Sequence, residues 1–116
     1  MVVAMWQERA HGALRVLGRD DALRGNEAVE RALAELDTLI GVAPGARWVI
    51  DAQTFEALNS EHIATLIRIL RRVSLAGGRV ALFRPGAFVR SVLQSLRLVK
   101  ILPIIDDLDH AERQLA

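Results

Sequence analysis

Apolar positions along the chain recur with two periods, and the places where the period changes predict the order of strands and helices. Alternating or wholly apolar runs of about five residues are typical of strands, and apolar residues three or four positions apart are typical of helices. The predicted strands are 2–8, 13–17, 47–51, 79–83 and 101–105. Helical spacing follows each of the last four. The predicted order is therefore β-β-α-β-α-β-α-β-α, an α/β fold whose opening hairpin makes the sheet mixed.

The first two predicted helices carry clear apolar stripes. Asn26 is the expected N-cap of the first helix, which ends near Gly41. Its inward positions are Val29, Leu33, Leu36 and Ile40. The second helix begins at Asn59 or Ser60, either of which can cap it, and stops at the Gly77-Gly78 pair. Its inward positions are Ile63, Leu66, Ile67, Leu70 and Val73.

The last two predicted helices are shorter. Pro85 suits the first turn of the third helix because its φ is already helical. The apolar face of this helix is Phe88, Val89, Val92, Leu93 and Leu96. Pro103 lies within the final strand and predicts an edge position for it, because proline has no N–H to donate to a neighbour. The last helix turns Leu108, Ala111 and Leu115 inward.

Composition narrows the class of protein. A chain of 116 residues with 52% apolar and 25% charged residues predicts one globular domain over 1–116. A formal net charge of +1 argues against nucleic acid or an anionic membrane as an obligatory partner. The absence of cysteine excludes disulfides and thiolate chemistry. Neither a secretory signal nor a spanning segment is recognisable, so a cytoplasmic location is expected.

Several residues could carry chemistry, and each also has a simpler explanation. His11, His62 and His110 have no metal-ligand spacing, so they are expected to be solvated or capping. Asp51 ends a central strand, where α/β sites form, but a carboxylate there also bonds to loop amides. The acids Asp106, Asp107 and Asp109 precede a helix, where capping is their expected role. No catalytic residue, cofactor or metal is predicted.

Basic residues of the second helix form a further candidate. Arg68, Arg71 and Arg72 lie away from its apolar stripe. Such a group is usually a solvated face, and it could also dock an acidic partner.

Ser60 has two explanations that the sequence leaves open. It lacks a Gly-x-Ser-x-Gly elbow and a supporting histidine and aspartate, so it is not a nucleophile of that kind. As a helix cap it needs no further role. As a phosphoserine it would place about −1.5 to −2 charge at the positive end of its own helix.

From residue 47 onward the chain resembles the STAS domain family (sulfate transporter and anti-sigma-factor antagonist). A strand ends in Asp51, a loop leads to Ser60 at a helix start, and the helix closes on Ala76-Gly77-Gly78. A second strand and a Pro-started helix then end in Leu96-Arg97-Leu98. The resemblance implies a small mixed β-sheet with helices mainly on one face. Residues 1–46 fit the family by element order alone.

The resemblance also implies a function. Bacterial antagonists of this family bind an anti-sigma factor that is also a serine kinase, and they release it after the kinase phosphorylates them with ATP. The family motif is Asp-Ser-Ser/Thr-Gly, and the matching positions read Asn59-Ser60-Glu61-His62. The phospho-acceptor carries over to Ser60 alone. Asn59 lacks the acidic charge, Glu61 adds one beside the acceptor, and His62 replaces a glycine.

The leading hypothesis is a non-enzymatic, anti-sigma-factor antagonist-like signalling module that binds a protein partner and is switched at Ser60. The candidate partner-binding residues are Asn59, Glu61, His62 and Arg68. A second hypothesis is a STAS accessory subunit of a transport ATPase or sensory assembly that works without phosphorylation. A third is a small-molecule binder or enzyme that uses the Asp51 loop.

Overall fold

The computed structural model describes residues 6–115 and reproduces the predicted order of elements. The strands are β1 Gln7–His11, β2 Leu14–Gly18, β3 Arg47–Asp51, β4 Arg79–Phe83 and β5 Ile104–Ile105. The helices are α1 Asn26–Val42, α2 Ser60–Leu75, α3 Ala87–Ser95 and α4 Leu108–Gln114. A single turn of 3₁₀ helix, Ala52–Thr54, follows β3.

The five strands form one mixed sheet in the order β1-β2-β3-β4-β5. β1 and β2 pair antiparallel as a hairpin, and all other neighbours are parallel. The central strand β3 carries Trp48, Val49 and Ile50, all fully buried, because both faces of the sheet are covered. The α/β class and the mixed sheet are confirmed.

The helices divide unequally between the two faces of the sheet. Helices α1, α2 and α3 cover the face that carries Leu17, Trp48, Ile50, Val80 and Leu82. Helix α4 covers the other face, where Ala111 and Leu115 pack on side chains that alternate with the first set. Those side chains are Leu14, Val16, Val49, Ala81 and Phe83. The expectation of helices mainly on one face is confirmed, and no helix within 6–115 combines the length and apolarity that spanning a membrane requires.

The opening hairpin is shifted from its predicted position. The predicted first strand, 2–8, begins among residues that lie outside the described range, and the observed strand continues to His11. Gly12 has a φ of 59°, which allows the tight turn that pairs His11 with Leu14. The sequence pattern did not show the true bounds of β1, because this edge strand is exposed and largely polar and lacks the apolar alternation typical of a strand.

The start of α1 was also predicted wrongly. Gly25, not Asn26, is the N-cap, and it makes no side-chain capping bond. Gly25 has a φ of 82°, a conformation that glycine adopts without strain, so the chain enters the helix one residue earlier than the side-chain rule indicates.

Two apolar faces and the last strand differ in detail from expectation. In α2, Ile69 is buried although it was not among the predicted inward positions, whereas the predicted Ile67 and Leu70 are only half-buried. In α3, which begins at Ala87 after the N-cap Gly86, Phe88 and Leu96 are exposed. Only β5 remains of the predicted strand 101–105, because the preceding residues turn. The carbonyl of Pro103 still accepts the Leu82 amide at 2.9 Å.

Candidate functional site

The loop between β3 and α2 is held at its start by Asp51. The Asp51 carboxylate accepts the backbone N–H of Gln53 at 3.1 Å and caps the 3₁₀ turn. Farther along, Phe55 and Leu58 are buried in the core. Asp51 therefore bonds to a loop amide, the simpler of its two predicted roles, and the buried side chains fix the loop that leads to Ser60.

A second segment ties the same loop down. The Leu23 amide donates to the Thr54 carbonyl at 2.9 Å, and the Thr54 hydroxyl donates to the carbonyl of Asp21. The carboxylate of Asp21 in turn accepts two bonds from the Arg19 guanidinium, at 2.8 and 3.2 Å. These bonds to Arg19 lower the pKa of Asp21. The loop is thus anchored from both sides before α2 begins.

The N-cap of α2 is Asn59, and it is paired reciprocally with His62. The Asn59 side-chain oxygen accepts the His62 backbone N–H at 2.9 Å, and His62 Nδ1 accepts the Asn59 backbone N–H at 3.1 Å. This is a capping box in which histidine takes the place of the usual Glu or Gln. Because Nδ1 is the acceptor, the neutral ring carries its proton on Nε2. The residue is only 2% exposed.

The cap leaves Ser60 free for another role. Ser60 is the first helical residue and is exposed. Within residues 6–115 its hydroxyl makes no hydrogen bond. The predicted choice between Asn59 and Ser60 as cap is settled in favour of Asn59. The hydroxyl of Ser60 therefore lies accessible at the positive end of the α2 dipole.

A cleft of about 270 Å³ lies between α1 and α2. Glu61, the residue that follows Ser60, is one of its lining residues. Its lining residues are Glu30, Leu33, Ala34 and Asp37 of α1, and Glu61, His62, Thr65 and Arg68 of α2. Arg68 donates to the Thr65 hydroxyl at 3.3 Å. Three of the lining residues are acidic and one is basic, so the cleft favours a positively charged occupant.

Ion pairing leaves part of this acidic charge uncompensated. Asp37 pairs with Arg72 at 2.6 Å, which removes Arg72 from the arginine group that the sequence offered as a docking patch. Glu30 and Glu61 have no ion-pair partner among residues 6–115. Two carboxylates are thus available at the rim of the cleft.

The structure brings most of the predicted partner-binding residues together. Glu61, His62 and Arg68 line one cleft, and Asn59 and Ser60 precede it on the chain. Glu61 and Arg68 are exposed, Asn59 is half-buried, and the His62 ring serves the cap. Sequence reasoning missed Glu30 and Asp37. Their spacing of seven, which places them on one face of α1, was the signal that could have found them.

The acidic residues at the start of α4 have separate roles. Asp107 caps the helix by accepting the Asp109 amide at 2.9 Å, as predicted. Asp106 pairs with Arg90, and Asp109 lies 2.8 Å from the ring nitrogen of His11. His11 and Asp109 are 98 positions apart, so spacing along the sequence could not show that the fold brings them together.

No protein-family model matches the chain, and no curated protein matches it. Solved structures do match. An anti-sigma-factor antagonist (STAS) domain protein from Planctomyces limnophilus superposes with a TM-score of 0.80 at 19% identity, covering 97% of this chain and 98% of that one. The Thermotoga maritima protein TM1081 gives 0.78 at 19% identity, with 95% and 93% covered.

The anti-sigma factor antagonist SpoIIAA also matches. Its unphosphorylated form gives a TM-score of 0.66 at 19% identity, with 93% of this chain and 94% of that one covered. The chain has the STAS fold. The fold assignment made from residue 47 onward is therefore confirmed, and it extends over the N-terminal elements that fitted by order alone.

Proposed function

We propose that this chain is a single STAS module, residues 1–116, that acts as a non-enzymatic regulator by binding a protein partner in the cytoplasm. The partner surface consists of Ser60, the first turns of α2 and the acidic cleft between α1 and α2. The observation that carries the proposal is the exposed Ser60 hydroxyl beside a cap made by other residues. An anti-sigma factor with serine kinase activity is the partner class that fits best.

The charges of the cleft suggest how the partner is recognised. Glu30 and Glu61 are exposed and unpaired within the described chain, so an arginine or lysine of the partner can enter beside them. Arg68 repels a further positive charge in the cleft, so the charges favour a partner with the matching pattern over other partners.

Phosphorylation of Ser60 is the proposed switch. The phosphate would add about −1.5 to −2 charge next to Glu61. The Arg68 guanidinium donates to Thr65, five residues and roughly 7.5 Å of helix rise beyond Ser60, so in this position it forms no ion pair with a group on Ser60. A partner that covers Ser60 would then have to desolvate a dianion beside a carboxylate, which favours release.

The groups near Ser60 argue against catalysis there. A serine nucleophile needs a base within hydrogen-bond reach. The Nδ1 atom of His62 is committed to the Asn59 amide, and its ring is buried. Asp51, at the other end of the loop, accepts the Gln53 amide on Oδ1, and no contact joins it to Ser60 within residues 6–115. The hypothesis of an enzyme built on the Asp51 loop therefore has no support from this geometry.

A second function is favoured by one observation, the replacement of the family's glycine by His62 and the presence of Glu61 after the acceptor. A module with these residues could bind its partner permanently, as an accessory subunit of a transport ATPase or sensory assembly. The same surface would be used, without modification of Ser60.

The test begins with capture of partners from native extract on the immobilised chain, followed by purification of the captured protein. Affinities are then measured by calorimetry for the wild type, Ser60→Asp and the matched control Ser74→Asp, which changes an exposed serine of the same helix. We expect Ser60→Asp to weaken binding by more than about tenfold, because a partner that covers residue 60 would have to desolvate the added carboxylate beside that of Glu61. Equal affinities for all three would contradict the proposal. A partner that binds but leaves Ser60 unmodified with ATP would support the accessory function.

A further inference from the structure

A second cluster of polar side chains lies far from Ser60, where the β1–β2 hairpin meets α4. His11 is the last residue of β1, and Asp109 and Glu112 are one helical turn apart on α4. Because α4 covers the face of the sheet opposite to α2, this cluster is independent of the proposed partner surface.

The three side chains converge on one point. His11 Nε2 lies 2.8 Å from Asp109 Oδ1 and 3.9 Å from Glu112 Oε1. One ligand atom from each residue lies within 4.8 Å of the other two. The His11 and Glu112 side chains are 33% and 39% exposed and the Asp109 side chain is 83% exposed, so two of the three ligands are partly buried and the cluster is open to solvent at Asp109.

The hairpin turn makes room for the cluster. A Cβ added at Gly12 would lie 2.0 Å from Glu112 Oε1, which shows that the carboxylate occupies the space that any other residue would fill. Glu112 is thus packed against the turn and not free in solvent.

We propose that His11, Asp109 and Glu112 bind a divalent transition-metal ion, with Zn²⁺ as the best fit. One imidazole nitrogen and two carboxylate oxygens are ordinary zinc ligands, at about 2.0–2.2 Å from the ion. Around a tetrahedral ion such ligands are about 3.3–3.6 Å apart, so changes of at most about 1.5 Å convert the observed separations, all within 4.8 Å, into coordination geometry. Mg²⁺ and Ca²⁺ fit less well because they prefer all-oxygen sites.

Three protein ligands leave a fourth position for water or for a group from another molecule. The bound ion would connect residues 98 positions apart in sequence, His11 and Asp109. Helix α4 has seven residues, and Leu108, Ala111 and the following Leu115 pack on the sheet. The ion would therefore fasten the C-terminal helix to the hairpin and stabilise the folded chain.

The test uses the full chain after removal of metal with EDTA. Binding of ZnCl₂ is measured by calorimetry, and thermal unfolding is recorded with ZnCl₂ and with MgCl₂. The variants are His11→Gln and Glu112→Gln. The matched control is His110→Gln. His110 is an exposed histidine of α4, the helix that carries Glu112, and it lies outside the cluster. Circular dichroism verifies that each variant folds.

We expect one Zn²⁺ per chain and a higher Tm with zinc but not with magnesium, in the wild type and in His110→Gln. Loss of a group that only supports a metal ligand costs about 10–100-fold in affinity, so His11→Gln and Glu112→Gln should each weaken binding by at least roughly tenfold. NMR of the wild type should show zinc-dependent shifts of the His11 ring. The proposal is overturned by undetectable zinc binding, by unchanged affinity in both cluster variants, or by shifts at His110 alone.

Discussion

The N-termini of α2 and α4 are both capped by side chains, yet they differ in what remains available outside the cap. At α4 the acidic residues are paired within the protein: Asp107 caps the helix, Asp106 bonds to Arg90, and Asp109 lies against His11. At α2 the cap is made of two neutral groups, the Asn59 amide and the His62 ring.

The consequence concerns the residues next to each cap. Ser60 and Glu61 are exposed, and their side chains have no partner within residues 6–115. This reciprocal cap satisfies two of the free amides, those of Asn59 and His62, without using the charged or hydroxyl groups beside it. The α2 terminus therefore leaves a hydroxyl and a carboxylate open to another protein, whereas the α4 terminus serves the fold and, in our proposal, a metal.

The largest expected effect is that of His62→Ala. This change removes a ring that is 2% exposed and breaks half of the capping box. We expect the free energy of unfolding to fall by about 3 kcal/mol, the cost of a cavity plus a weakened cap. Urea denaturation measures it. His62→Gln should lose less, because glutamine at this position also accepts the N-cap amide.

His110→Ala is the control for this prediction, because His110 is an exposed histidine in α4. Its loss should change stability by no more than about 0.5 kcal/mol. Similar losses for His62→Ala and His110→Ala would show that His62 is not part of a buried cap.

The next effect separates the two residues that the sequence offered as the cap. Asn59→Ala should destabilise the chain by about 1 kcal/mol because the His62 amide loses its acceptor. Ser60→Ala should change stability by less than about 0.5 kcal/mol, since its hydroxyl bonds to nothing in the described chain. Urea denaturation of both variants provides the comparison. A larger loss for Ser60→Ala would identify serine as the cap and remove the argument that its hydroxyl is free.

The smallest effect tests the bonds that anchor the loop before α2 through Asp21 (the Asp21 tether). Its size should depend on pH. Bonds from Arg19 lower the pKa of Asp21 in the folded chain, so the ionised carboxylate stabilises the fold above its unfolded pKa of about 3.9. That contribution is lost as the pH falls through the lower folded pKa. Asp21→Asn should therefore cost less than about 1 kcal/mol at pH 7, because the carboxylate is 42% exposed.

The difference between wild type and Asp21→Asn should shrink as the pH falls below about 4. Urea denaturation at several pH values measures this trend. A difference that is constant with pH would mean that the charge of Asp21 has no role in the tether.

The sequence predicted the features that depend on local pattern. The strands β3 and β4 were predicted with their observed ends, because their apolar runs are buried on both faces. The cap of α2 was narrowed to two adjacent residues. The STAS resemblance predicted that the helices lie mainly on one face of the sheet, and it pointed to Ser60 as the phospho-acceptor position.

What the sequence did not predict depends on contacts between distant residues. Glu30 and Asp37 join the cleft only because α1 packs beside α2. His11 meets Asp109 and Glu112 only because α4 returns to the opening hairpin. The start of α1 at Gly25 depends on a positive φ that the side-chain rules for caps do not consider.

The most direct test of the central claim is to find where phosphate is added. The wild type and Ser60→Ala are incubated with ATP and native extract, and tryptic peptides are analysed by mass spectrometry. The peptide from Trp48 to Arg68 contains Thr54, Ser60 and Thr65, so fragmentation must locate the phosphate. The account predicts phosphate on Ser60 in the wild type and none on this peptide in Ser60→Ala. Phosphate on another residue, with Ser60 unmodified, would contradict the proposed switch.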